Sequence, residues 1–110
     1  MPKTGKIAIA SIQRNRNKYI VEWIAFHLAV GFNQFYIYCH KTDDGMKETL
    51  LELAKRCPIE VFALEMDDFP QLSAYHHAWE RFGSEVDWMA FIDGDEFLFA
   101  TQARSMQEAL

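Results

Sequence analysis

The sequence is short of the features that would assign it to nucleic acid, to disulfide crosslinking or to a membrane. Its 11 lysines and arginines are outnumbered by 16 aspartates and glutamates, the net charge is −5, and no basic run occurs. A nucleic-acid partner is excluded on this ground, since such surfaces depend on clustered positive charge. Cys39 and Cys57 are too few for a disulfide framework and lack the paired spacing of a zinc site. The expected location is therefore a reducing compartment, the cytoplasm or the membrane surface that faces it. No apolar stretch approaches the roughly 20 residues that cross a bilayer, so no transmembrane segment is expected, and the first residues lack the pattern of a secretory leader. Repeats, low-complexity segments and linkers are absent as well.

What is present is half hydrophobic, enough over 110 residues for one domain with a real core. Met1 to Gly5 reads as a loose start, and residues 6–110 as one unit. Lys6 to Ile12 predicts a first strand, nearly all apolar, as a central parallel strand should be. A polar turn, Gln13 to Asn17, offers Asn17 as N-cap of a helix over Lys18 to Val30, with Ile20, Ile24, His27 and Leu28 on one face and Gly31 at its end. Phe35 to Cys39 predicts a second strand. The loop His40 to Gly45 leads to a helix with Leu50, Leu53, Ala54 and Cys57 on one side, stopped before Pro58. Ile59 to Leu64 alternates enough to be an edge strand. A third helix follows Asp67-Asp68-Phe69, with Pro70 in its first turn and Leu72, Tyr75, Ala78, Trp79 and Phe82 facing inward. Strands alternating with helices imply a mostly parallel, Rossmann-like α/β sheet with flanking helices. A helix begun at Ser105 has barely one turn before Leu110, so the chain is expected to be the front part of a longer domain.

The chain is organised around Trp88-Met89-Ala90-Phe91-Ile92-Asp93-Gly94-Asp95-Glu96-Phe97. Its apolar run predicts a buried strand that ends in three carboxylates within four positions. If the backbone stays extended past Ile92, Asp93 and Asp95 project to one side, and Gly94 lets the chain turn and a ligand approach. Two carboxylates at one point suit Mg²⁺ or Mn²⁺, which complete their shells with water and substrate phosphates. Asp and Gly are also ordinary turn residues. The place distinguishes this turn: the carboxyl end of a strand is where open α/β sheets bind ligands.

Other polar residues have structural explanations. His27 on an apolar helix face is a packed, hydrogen-bonded core residue, and the adjacent His76 and His77 point about 100° apart on a helix and cannot chelate one ion. Trp23, Trp79 and Trp88 read as core. Asp43, Asp44, Asp67 and Asp68 suit helix N-termini.

From Lys6 to Phe99 the sequence resembles the nucleotide-sugar-binding half of A-type glycosyltransferases, in particular the family 2-like group related to family 92. The resemblance rests on five blocks in order: Arg14-Asn15; Glu22-Trp23 with His27 and Gly31; Tyr38 with Thr42, Asp44 and Gly45; Gln71 with Ala74-Tyr75 and His77-Ala78; and Trp88 with Asp93-x-Asp95-Glu96-Phe97. It implies transfer of a sugar from a metal-bound nucleoside diphosphate donor to a glycan or other hydroxyl acceptor. Arg14, Asn15, Thr42, Asp44, Gln71, Asp93 and Gly94 would then bind the nucleotide sugar, and Asp93 with Asp95 the Mn²⁺ or Mg²⁺, with Glu96 supporting the turn. The catalytic base of such a fold is expected beyond Leu110, so the chain alone is expected to bind donor without turnover. An exposed flank would favour self-association. Two departures stand out: Arg16 where the pattern has an acid, and Cys39-His40 where it has Asp.

Rival readings remain at this point. Asp93-x-Asp95 after an apolar strand also resembles haloacid-dehalogenase-type phosphatases, although there the motif opens the domain. Gly94-Asp95-Glu96-Phe97 is similar to the diguanylate cyclase hairpin, without its first Gly and preceding Arg. A non-catalytic nucleotide-sugar-binding or interaction fragment is the non-enzymatic alternative.

Overall fold

The computed structural model describes residues 5–98. The strands are β1 (Ile7–Gln13), β2 (Gln34–His40), β3 (Ile59–Leu64) and β4 (Trp88–Phe91), and the helices α1 (Asn17–Ala29), α2 (Met46–Leu53) and α3 (Pro70–Phe82), the last followed by a short 3-10 turn. They alternate in sequence and form one parallel sheet in the order β3-β2-β1-β4. The expected α/β, Rossmann-like architecture is the one observed. The loose start at Met1 to Thr4, the final part of the sequence match at Phe99 and the helix from Ser105 lie outside the described residues. Gly5 is tied down, its N–H donating to Asp87 and its carbonyl accepting from Asn33.

Each strand of β1 and β2 serves two cores, because alternate side chains leave opposite faces. Ile7, Ile9, Phe35, Ile37 and Cys39 pack with Ile20, Trp23, Ile24, Met46 and Leu50 under α1 and α2. On the other face, Ala8 and Ala10 of β1 meet Ala74 and Ala78 of α3, with Tyr36, Tyr38 and Phe82 filling the flank. Four small residues across that contact let helix and sheet approach closely.

Several local expectations need correction. β4 is not buried: Trp88 is 52% exposed and Phe91 40%, since it pairs with β1 alone among the described residues. Trp79 and Leu72 also face solvent, and the inward row of α3 is Ala74, Ala78 and Phe82, spaced four apart. Only Trp23 of the three tryptophans is core. β3 is the outer strand expected. Asn17 opens α1 instead of capping it, and makes no side-chain cap.

Candidate functional site

The chain runs from β1 outward through β2 to β3 and then returns across the other face, by α3, to place β4 against β1. The direction of winding reverses between β1 and β4, and in open α/β sheets ligands bind in the crevice outside the strand ends at that reversal. Two adjoining hollows occupy the place. One, of about 290 Å³, is lined by Ile12, Gln13, Arg14, His40, Pro70, Gln71 and Asp93. The other, of about 250 Å³, is lined by Ile12, Gln13, Arg14, Arg16, Asp93, Gly94 and Asp95. Arg14, Asp93, Gly94, Asp95 and Gln71 are thus brought to one crevice.

The turn that carries the carboxylates is built differently from the extended segment expected. β4 ends at Phe91, and residues 94 and 95 form a turn. The Asp93 N–H donates to Glu96 Oε1 at 2.7 Å, and the Glu96 N–H returns a bond to the Asp93 carbonyl at 3.1 Å. Glu96 therefore spends its carboxylate inside the turn. Neither Asp93 nor Asp95 is in an ion pair among the described residues, so both carboxylates remain available to a ligand. Gly94 sits hard against Gln13: a Cβ there would lie 2.5 Å from Gln13 Oε1. Gln13 is 4% exposed, and its amide N–H₂ donates to Ser11. Its Oε1 and the Arg16 Nε are the two buried side-chain polar atoms without a partner among the described residues, and both residues line the smaller hollow. Buried polar groups are normally satisfied, so two orphans at one crevice favour a ligand there.

The remaining site candidates lie to one side. Asn15, in a left-handed conformation at φ 52°, accepts the Asp43 N–H, and Asp44 accepts N–H groups from both Asn17 and Met46. Asp44 thus caps α1 and α2 together, and Thr42 lies in the loop that Asn15 and Asp44 fasten. Cys39 points into the core within β2, where burial pushes its thiol up to about 11. A carboxylate at that position would face the core and not the crevice. His77 of α3 shares a hydrogen bond of 2.6 Å with the Tyr38 hydroxyl, and both His76 and His77 are exposed.

Some residues at or near the crevice were not assigned to the site from the sequence. Gln13 extends β1 by one residue, and the only sequence signal was its place at the end of an apolar strand. Tyr75 lies beside Gln71, its hydroxyl held above its ordinary range by burial, with the nearby Asp93 and Glu96 charges adding to the effect. Arg16, at the N-cap of α1, donates to the Gly94 carbonyl at 3.2 Å, and from within the helix the Trp23 indole N–H donates to the Glu96 carbonyl at 2.9 Å.

His27 is fully buried, as expected. Its Nε2 accepts the Leu98 N–H at 3.1 Å, which leaves Nδ1–H to donate to the Trp23 carbonyl at 2.9 Å. The ring is therefore neutral, and burial lowers its pKa below 6.5, opposed only by the Trp23 carbonyl. Above pH 6.5 His27 is neutral folded and unfolded, and its contribution to stability is fully present. As pH falls below 6.5 the unfolded chain takes up a proton that the folded chain resists, and stability is lost. Urea midpoints at pH 7.5 and 5.5 should differ more for the wild type than for His27→Gln; equal differences would show that His27 does not titrate in this way.

A parallel α/β sheet here carries two acidic side chains, an arginine and amide groups at its winding reversal, the place where open α/β sheets hold their ligands. The family model for glycosyltransferase family 92 matches residues 7–110, and the chain belongs to that family. It is 27% identical over 109 residues to a glycosyltransferase family 92 protein of Oryza sativa subsp. japonica, covering 98% of this chain and 18% of the relative. A family 92 protein of Ricinus communis is 29% identical over 94 residues, covering 82% and 16%, and one of Arabidopsis thaliana is 26% identical over 104 residues, covering 91% and 17%. The chain thus spans less than a fifth of the length of these relatives. No solved structure matches it significantly. No described helix is long and apolar enough to cross a membrane.

Proposed function

We propose that this chain binds the donor of a family 92 glycosyl transfer, a nucleoside diphosphate sugar held with Mg²⁺ or Mn²⁺ at the Asp93-Gly94-Asp95 turn. The observation that carries the reading is the meeting of two carboxylates free of ion pairs with Arg14 at the β1/β4 reversal. Among the described residues no three His, Cys, Asp or Glu side chains gather into a metal cage. Two carboxylates suit these particular ions, which are commonly held by one or two protein carboxylates, with waters and substrate phosphates supplying the rest. When bound, the cation offsets the charge gathering on the departing diphosphate.

The protein's own groups divide the remaining work. Asp93 and Asp95 hold the ion, and Arg14 meets phosphate with its fork of donors. Gln71 and Gly94 border the nucleotide sugar, and Asn15 with Asp44 keeps the loop of Thr42 at the rim. Transfer to a hydroxyl acceptor is proposed for the whole family 92 domain, and donor binding for this chain.

The test is calorimetric titration with UDP and Mn²⁺. Wild type is expected to bind UDP only when the cation is present, and Asp95→Ala to lose that dependence together with the binding. Metal-dependent UDP binding that survives Asp95→Ala refutes the assignment of Asp95.

A further inference from the structure

We infer that helix α1 and the N-cap residue before it position the acidic turn, acting as a clamp through Arg16, Trp23 and His27. The inference rests on the proposed cation site for its functional half. Three directional bonds reach alternate residues of one segment: Arg16 to the Gly94 carbonyl, the Trp23 indole N–H to the Glu96 carbonyl, and the Leu98 N–H to His27 Nε2. Four helical residues from Trp23 to His27 advance about 6 Å, a span within the reach of the two residues from 96 to 98. The segment therefore follows the helix in the same direction, meeting Arg16, Trp23 and His27 in order.

The bonds all end on backbone groups, so they hold the chain and leave the Asp93 and Asp95 side chains untouched. Ring contacts add to them: Phe97 stacks on His27 at 5.7 Å and meets Phe26 edge-on at 5.0 Å. Trp23 is 1% exposed and is itself anchored against Phe35 of the central sheet. The clamp thus ties the turn to the buried core under α1 and α2. General packing would hold the segment in place without fixing its register; paired donors and acceptors at residues 94, 96 and 98 do fix it.

One link of the clamp responds to pH. His27 is surrounded by Trp23, Phe26 and Phe32 from α1 and the loop after it, and by Phe97 from the segment, all uncharged rings. Of the charged groups on that segment, Glu96 directs its carboxylate to the Asp93 N–H, and Asp95 lines the smaller hollow together with Arg16. A proton on Nε2 replaces the acceptor of the Leu98 N–H with a second donor, and that link opens.

Two measurements on the 110-residue chain decide the matter. Amide hydrogen exchange without metal reads the clamp. Trp23→Phe, which keeps a ring but lacks the indole N–H, should accelerate exchange at Glu96 and Leu98 by about tenfold beyond any change in β1 and β2. Arg16→Met should loosen the same segment with the core unaltered. In wild type the Leu98 amide should lose protection as pH falls below 6.5, and in His27→Gln, whose amide oxygen accepts at every pH, it should not. Exchange at Leu98 that ignores both Trp23→Phe and pH overturns the clamp.

Titration with Mn²⁺ and UDP then reads positioning. Trp23 lines neither hollow, yet Trp23→Phe should weaken metal-dependent UDP binding by about threefold to tenfold. A loosened segment with unchanged affinity overturns the positioning role. If wild type binds no Mn²⁺ with UDP while the segment loosens as described, the cation reading fails, and with it the functional half of this inference, and the clamp stands as a structural device.

Discussion

Gly94→Ala is expected to fold and to lose metal-dependent UDP binding by about 100-fold, the scale on which an ångström of displacement at a site acts. The added Cβ would lie 2.5 Å from Gln13 Oε1 and 2.7 Å from its Cδ. A flexible surface glutamine would swing aside. Gln13 cannot do so freely, because it is 4% exposed, closes the end of a central strand and is tied to Ser11. The turn is the softer partner, since it is held by isolated hydrogen bonds, and it moves. Overpacking of this kind costs about 1–3 kcal/mol, so the fold survives. Circular dichroism should show a modestly lowered Tm, and titration with UDP and Mn²⁺ the larger loss. Gln13→Ala in the same molecule makes room and should restore part of the binding. Wild-type affinity in the single variant would show that the turn tolerates displacement and that its geometry is not what binds the cation.

Asp44→Ala is expected to be the most destabilising change at a polar surface position of the described residues, by about 1–3 kcal/mol, because one carboxylate caps two helices. Asp44 Oδ2 accepts the Asn17 N–H at 2.9 Å and Oδ1 the Met46 N–H at 3.0 Å. Its carbonyl also accepts from the Asn17 side chain, which in turn accepts from the Thr49 hydroxyl at 2.6 Å. Losing the cap frees the first turns of α1 and α2 together. For a domain of about 100 residues this corresponds to a fall in Tm of roughly 4–8 °C per kcal/mol. Thermal unfolding with and without UDP and Mn²⁺ separates this capping from direct nucleotide contact. A variant with wild-type Tm and weakened UDP binding would assign Asp44 to the ligand instead.

These two positions show how far the sequence could be read. Asp93, Gly94 and Asp95 were legible because apolar burial stops abruptly at Ile92, and a strand end in an α/β pattern is a place for ligands. The partner that makes Gly94 sensitive, Gln13, lies about 80 positions away and carries no motif of its own. Asp44 was legible as an N-terminal helix residue. That it also serves α1, 27 positions earlier, follows only from the meeting of two loops. Trp79 and Leu72 were misplaced because a large apolar residue at helical spacing looks like core, whereas α3 approaches β1 so closely that only alanines fit. Trp88 and Phe91 were misplaced because an apolar run does not say which strands lie beside it.

The sequence by itself determined the alternation of strand and helix, the parallel sheet and the place of the acidic residues just past a strand end, since hydrophobic period and turn chemistry are local properties of neighbouring residues. Only the tertiary structure decided that the return by α3 sets β4 beside β1, that Gln13 closes on Gly94, and that α1 grips residues 94 to 98. Those contacts join residues 71 to 81 positions apart, and their geometry is fixed by how the helices and the sheet pack together, which no short stretch of residues encodes.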